Sequence, residues 1–187
     1  LEPRFTGGLA RLLREGAVFR GLHDHANTET APGHAVMLAG RFPRSTGVLA
    51  NELGIQDPQV RVLGSRDEGA SPWLFRGTTL FDWMRFDTPG SRALSVSRKD
   101  RSAILPIGRN DQEVYWYAWE SIFTTSSWYA DTLPGWVQRF NARRIPQSYA
   151  GAAWLPLQPE REYRAPDSVA TENNGAEFTF PHRLPVD

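Results

Sequence analysis

Apolar residues along this chain fall into short blocks of changing period. Leu9, Leu12 and Leu13 stand at i, i+3 and i+4 between Thr6 and Gly16, which predicts a helix over Thr6–Glu15 with Thr6 as its N-cap. Ala17–Phe19 reads as a short strand. Ala31–Ala39 is small and apolar all round, as suits a buried helix, and Pro32 lies in its first turn, where a missing N–H costs little. The chain then turns repeatedly from Gly40 to Gly47 and is polar and irregular from Asn51 to Asp67. Ser71-Pro72 predicts the start of a helix through Leu80, Phe81 and Met84, closed by Thr88-Pro89-Gly90. Ala93–Ser97 alternates as a strand, and Arg101–Leu105 forms a helical turn ahead of Pro106. Val114–Tyr117 and Ile122–Thr125 are β-branched and aromatic, hence strands. Leu133-Pro134 opens a helix with Trp136, Val137 and Phe140 on one face. Beyond Pro156 the residues are mainly Pro, Glu and Arg, and little regular structure is predicted. Alternating strands and helices, with no repeat or linker, place the chain in the α/β class.

Composition changes that picture in three ways. Forty per cent apolar residues and seven Trp are enough for a sizeable core, and no run approaches the length of a membrane span. The absence of Cys excludes disulfides, thiolate catalysis and Cys-based zinc sites together. Twenty-one basic residues balance twenty-one acidic ones, which argues against a nucleic-acid binder driven by its overall field. All the basic residues except Lys99 are Arg. The sequence starts at Leu1 with no signal-peptide pattern, so a processed product or a fragment is expected.

Candidate chemistry is concentrated in two places. In Thr28-Glu29-Thr30-Ala31-Pro32-Gly33-His34, Thr30 stands at the expected N-cap of a helix, where free N–H groups and the dipole favour an anion. Local sequence leaves two readings open: Thr30 is a cap only, or a hydroxyl placed to attack a bound phosphate once a base or metal activates it. His34, inside the helix, is structural. His23 and His25 have an i, i+2 spacing that could chelate a metal but lack a nearby third ligand, so solvated loop histidines are the simpler reading. His182 supports no function. The second place is Lys99-Asp100-Arg101, where two cations could converge on one oxyanion, the alternative being a solvated charge run.

Together these segments match a family. The run Thr30-Ala31-Pro32-Gly33-His34-Ala35, then Leu38-Ala39-Gly40-Arg41-Phe42-Pro43, then Gly47-Val48-Leu49-Ala50-Asn51-Glu52 resembles the alkaline phosphatase superfamily. The nearest branch is the type I phosphodiesterase/nucleotide pyrophosphatase group with its Thr-nucleophile alkaline phosphatases. Ser45-Thr46 replaces a more usual His before the glycine, and Ala39 a common Thr. Pro3–Leu9, Ser97–Ile104, Trp136-Val137 and Phe140–Arg143 also resemble segments of that branch. The resemblance implies a three-layer α/β sandwich with a mostly parallel sheet, of which residues 1–187 are one partial domain, truncated at both ends. It implies that Thr30 is the nucleophile, bound as an alkoxide to zinc and forming a phosphothreonine. Asn51 would donate to a phosphoryl oxygen, and Lys99 and Arg101 would clasp the others. A monoester dianion carries more charge than a diester, so the Lys/Arg pair favours zinc-dependent monoester hydrolysis over phosphodiesterase or pyrophosphatase activity.

Two zinc ions need about six protein ligands, and the Asp and His motifs that supply them in the family do not occur after Asn51. The chain alone is therefore expected to bind zinc poorly, turn over nothing and expose apolar surface, activity belonging to a full-length parent. A phosphate ester is the expected partner, with neither nucleic acid nor membrane. A periplasmic or secreted parent is implied by the resemblance. A non-catalytic anion-binding remnant of the fold is the alternative from another class.

Overall fold

A computed structural model describes residues 5–171, 175–176 and 178–185. Pro3 and Arg4, part of the N-terminal resemblance, lie outside the described residues.

The organising unit is a strand, a helix and a second strand. β1 (Leu94–Ser97) runs parallel to β2 (Glu113–Tyr117), with α5 (Asp100–Ile107) as the crossover between them. β3 (Phe123–Thr124) adds to the other edge of β2 in the antiparallel sense, giving the order β1-β2-β3. Strand alternation sends Val114 and Trp116 to one face and Tyr115 to the other. On the first face the Ser95 hydroxyl donates to the Ala103 carbonyl at 2.7 Å, and Val114 and Trp116 share one core cluster with Ala103, Ile104, Leu105 and Ile107. On the second face Tyr115 meets Trp136 edge to face at 5.1 Å, which brings in α6 (Gly135–Ala142) with Val137 buried beneath it.

α5 is apolar round most of its circumference because it is covered twice, by the sheet and by α2 (Thr30–Ala39). Ala31, Ala35 and Ala103 are all fully buried, and their small side chains let the two helices approach closely. Val48, Ile55, Val62, Ala70 and Phe75, from the long irregular stretch, close the same core. The remaining α-helices among the described residues are α1 (Gly8–Glu15), α3 (Pro43–Thr46) and α4 (Leu80–Asp87), and β4 (Ala153–Trp154) pairs with β5 (His182–Arg183) in a separate antiparallel ribbon.

Several expectations are corrected. The N-cap of α1 is Gly7, one residue past Thr6. Ala17–Phe19 is not a strand: it pairs with nothing among the described residues and leaves Val18 and Phe19 exposed. α4 begins at Leu80, not at Ser71-Pro72, because Thr79 and Asp82 form a reciprocal capping box, while Gly77 at φ 101° interrupts any helix before it. α5 does not stop before Pro106. That residue sits near the end of the helix, and the burial of Leu105 and Ile107 beside it offsets the lost backbone bond. A short helix, α3, interrupts the turns between Gly40 and Gly47. The α/β class holds, with helices on both faces of the sheet. The sheet is small and mixed, however, with one parallel pair where a mostly parallel sheet was expected. Among the described residues no helix is long and apolar enough to cross a membrane.

Candidate active site

α2 is capped from a distance. Its N-cap residue is Glu29, in extended conformation at φ −74° and ψ 170°, and Thr30 is the first helical residue, so the expectation that Thr30 itself caps the helix is overturned. The acceptor comes from 20 residues further along: Asn51 Oδ1 accepts the Ala31 N–H at 2.9 Å. A backbone N–H can only donate, so this bond fixes the orientation of the Asn51 amide and leaves its Nδ2 hydrogens without an acceptor among the described residues.

The same accounting corrects the picture of an open anion cradle at the helix start. The Ala31 N–H goes to Asn51, Pro32 has none, and the Gly33 N–H donates to the Glu29 carbonyl at 3.0 Å. Of the first turn, only the N–H of Thr30 is not spent in this way. An oxyanion here would be held mainly by side chains. His34 is structural, as its sequence position suggested: Nδ1 donates to the Thr30 carbonyl at 2.8 Å.

Two side chains that local sequence did not single out hold Asn51 in place. Glu29 Oε2 accepts the Asn51 backbone N–H at 2.8 Å, and Asn27 Nδ2 donates to the Leu49 carbonyl at 3.0 Å. Asn27, Glu29 and Ala31 thus contact the 49–51 loop at every second residue. The sequence offers no alternation that marks these contacts, since Asn27, Thr28 and Glu29 form an unbroken polar run ahead of Thr30.

Lys99 and Arg101 occupy the turn from β1 into α5. Ligands of parallel α/β units bind at the carboxyl ends of strands, which is where this turn lies. Lys99 is the N-cap residue of α5 and is exposed. Arg101 is half-buried. Its Nη1 lies 3.4 Å from Asp100 Oδ1, an oxygen already accepting the Arg101 backbone N–H at 2.7 Å. Arg101 Nε is shielded from solvent with no acceptor. Leaving such a donor unpaired costs about 1–3 kcal/mol, and an oxyanion would relieve that cost. Asn51 is therefore bonded to Ala31, the neighbour of Thr30, Lys99 and Arg101 share the start of α5, and α2 and α5 pack on each other.

His23 and His25 are not solvated together. His25 is buried with Nε2 unpartnered, and its ring meets that of His23 at 5.4 Å. No group of three or more His, Asp or Glu among the described residues could hold a metal ion. The donors around Thr30 are two amides and one carboxylate, so the residues present do not fit a pair of zinc ions. The displaced ionisations lie elsewhere. Burial, then the charge of Glu113, raises Tyr115, and burial raises Tyr129 strongly. Hydrogen bonds from Ser65 and the Arg66 backbone lower Glu120.

Known proteins resemble this chain over most of its length. It is 35% identical to the alkaline phosphatase PhoV of Synechococcus elongatus, covering 95% of this chain and 36% of that protein. It is 32% identical to the alkaline phosphatase PafA of Elizabethkingia meningoseptica, covering 84% and 32% respectively. The crystal structure of wild-type PafA superposes with a TM-score of 0.78 at 32% identity, over 87% of this chain and 35% of that one. A PafA variant substituted at one Thr, one Asn, one Lys and one Arg superposes with a TM-score of 0.70 at 28% identity, over 78% and 32%. The chain thus spans about a third of the length of these relatives. The model of one family, type I phosphodiesterase/nucleotide pyrophosphatase, matches residues 1–171, and the chain belongs to that family.

Proposed function

We propose that this chain is part of a longer phosphoric ester hydrolase, built on the family's three-layer sandwich, and carries its nucleophile and oxyanion clasp. Thr30 Oγ attacks phosphorus, the bond to the ester oxygen breaks, and the phosphoryl group rests on Thr30 until water removes it. Asn51 Nδ2 donates to one non-bridging oxygen, and Lys99 and Arg101 neutralise the others. Phosphoryl transfer depends mainly on such positioning and charge stabilisation. Loss of the Thr30 proton is not provided for by the described residues. The group that takes it up would come from elsewhere in the whole protein, as would the ligands of the two zinc ions that the family resemblance implies.

The observation that carries this assignment is the bond from the Ala31 N–H to Asn51 Oδ1, which seats a free amide donor at the helix start occupied by Thr30. The four positions altered in the PafA variant give further support. They are of the same types and in the same order as Thr30, Asn51, Lys99 and Arg101, with the same spacing within each pair.

A monoester dianion uses both cations more fully than a diester does, so the substrate class proposed is the phosphate monoester. In a full-length protein carrying this segment, Thr30→Ala abolishes hydrolysis of an aryl phosphate. Lys99→Ala lowers kcat/KM for the monoester by about a hundredfold and for the corresponding diester by less. Equal losses on the two substrates would contradict the monoester assignment.

A further inference from the structure

The bonds around Asn51 suggest a role for a residue that touches no reacting atom. Asn51 is held at two points. Its side-chain oxygen is fixed by the Ala31 N–H at 2.9 Å and its backbone N–H by Glu29 Oε2 at 2.8 Å. Glu29 is in turn fixed by its place in the chain, since it is the N-cap residue of α2 and its carbonyl accepts the Gly33 N–H. The carboxylate that seats Asn51 and the hydroxyl of Thr30 thus belong to consecutive residues.

We propose that Glu29 is a positioning residue, which sets the Asn51 amide at the height of Thr30 by tying the 49–51 loop to the first turn of α2. Asn27, bonded to the Leu49 carbonyl, is the second tie of the same strap. The proposal rests on the assignment of Thr30 and Asn51 to an oxyanion site and adds to it the group that pre-organises that site. It also resolves an electrostatic oddity. A carboxylate next to a phosphate site repels the ligand. Its presence is explained if the strength of a charge-assisted bond to the Asn51 N–H outweighs that repulsion.

The two roles open to Glu29 predict opposite signs. If its carboxylate acts only as a local negative charge, both Glu29→Ala and Glu29→Gln bind inorganic phosphate more tightly than the wild-type chain. If it positions Asn51, Glu29→Gln keeps an acceptor for the N–H while losing the repulsion, and its affinity is equal or tighter. Glu29→Ala then loses the tie and binds phosphate about tenfold more weakly.

The test is a titration of the 187-residue chain and both variants with inorganic phosphate, combined with amide hydrogen exchange at Asn51 and Ala31. Glu29→Ala is expected to accelerate exchange at both N–H groups while protection in α5 is unchanged, and Glu29→Gln to leave all of them protected. Unchanged exchange at Asn51 in Glu29→Ala, or tighter phosphate binding by that variant, would overturn the positioning role. If the wild-type chain binds no phosphate, the oxyanion assignment itself fails. The exchange data still decide whether Glu29 holds Asn51.

Discussion

The two halves of the candidate site are built differently. Around Thr30 and Asn51 the contacts are made in advance: Glu29, Ala31 and Asn27 hold the 49–51 loop by three hydrogen bonds that span 20 to 22 positions of the chain. Around Lys99 and Arg101 almost nothing is fixed. Lys99 is exposed, and among the described residues the Arg101 guanidinium has Asp100 as its polar partner, at 3.4 Å, with Nε unpaired. The contrast suggests a division of labour. On the proposed assignment, the Asn51 amide would set where one oxygen sits, and the two cations would close on the remaining charge.

What joins the halves is the packing of α2 on α5, so the largest effect is expected there. Ala35→Leu places a branched side chain where the helices touch, at a residue with no exposed surface. It should cost about 1–3 kcal/mol in urea unfolding and impair phosphate binding by both halves at once. Asn51→Ala comes next and should act twice. It removes the acceptor for the Ala31 N–H, costing about 1 kcal/mol of stability, and it weakens phosphate binding about tenfold. Lys99→Ala should lower phosphate affinity by a similar factor while stability stays within about 0.5 kcal/mol, because the Lys99 side chain is exposed and the bond its carbonyl accepts from the Ala103 N–H survives the substitution. Its loss should also flatten the salt dependence of phosphate binding, whereas Asn51→Ala should leave that dependence unchanged. The smallest effect is expected for zinc. Calorimetric titration of the 187-residue chain should show no tight stoichiometric site, and finding one would contradict the ligand accounting among the described residues.

Much of the frame was legible in the sequence for physical reasons that are local. The small apolar run of α2, the β-branched and aromatic run of β2 and the amphipathic face of α6 each carry their period within a few residues. The start of α4 was misplaced, because the Ser71-Pro72 signal pointed upstream of the Thr79–Asp82 capping box that sets it at Leu80. Ala17–Phe19 had strand propensity and no partner strand, and propensity alone does not make a strand.

The site divides along the same line. Lys99 and Arg101 stood out because they are close in sequence and Lys99 is the only lysine. The roles of Thr30 and Glu29 could not be separated locally, since the group that caps α2 is Asn51, brought in by tertiary structure. Glu29 was not singled out, because its tie to the Asn51 backbone depends on a loop that turns back on the chain.

The central claim is that both halves act on one oxyanion, and nuclear magnetic resonance can observe each half separately. In a phosphate titration of the 187-residue chain, the Asn51 Nδ2 resonances and the Arg101 Nε resonance should shift together and fit a single Kd. A response confined to one half, or two clearly different Kd values, would show that the Thr30–Asn51 corner and the Lys99–Arg101 turn are separate features.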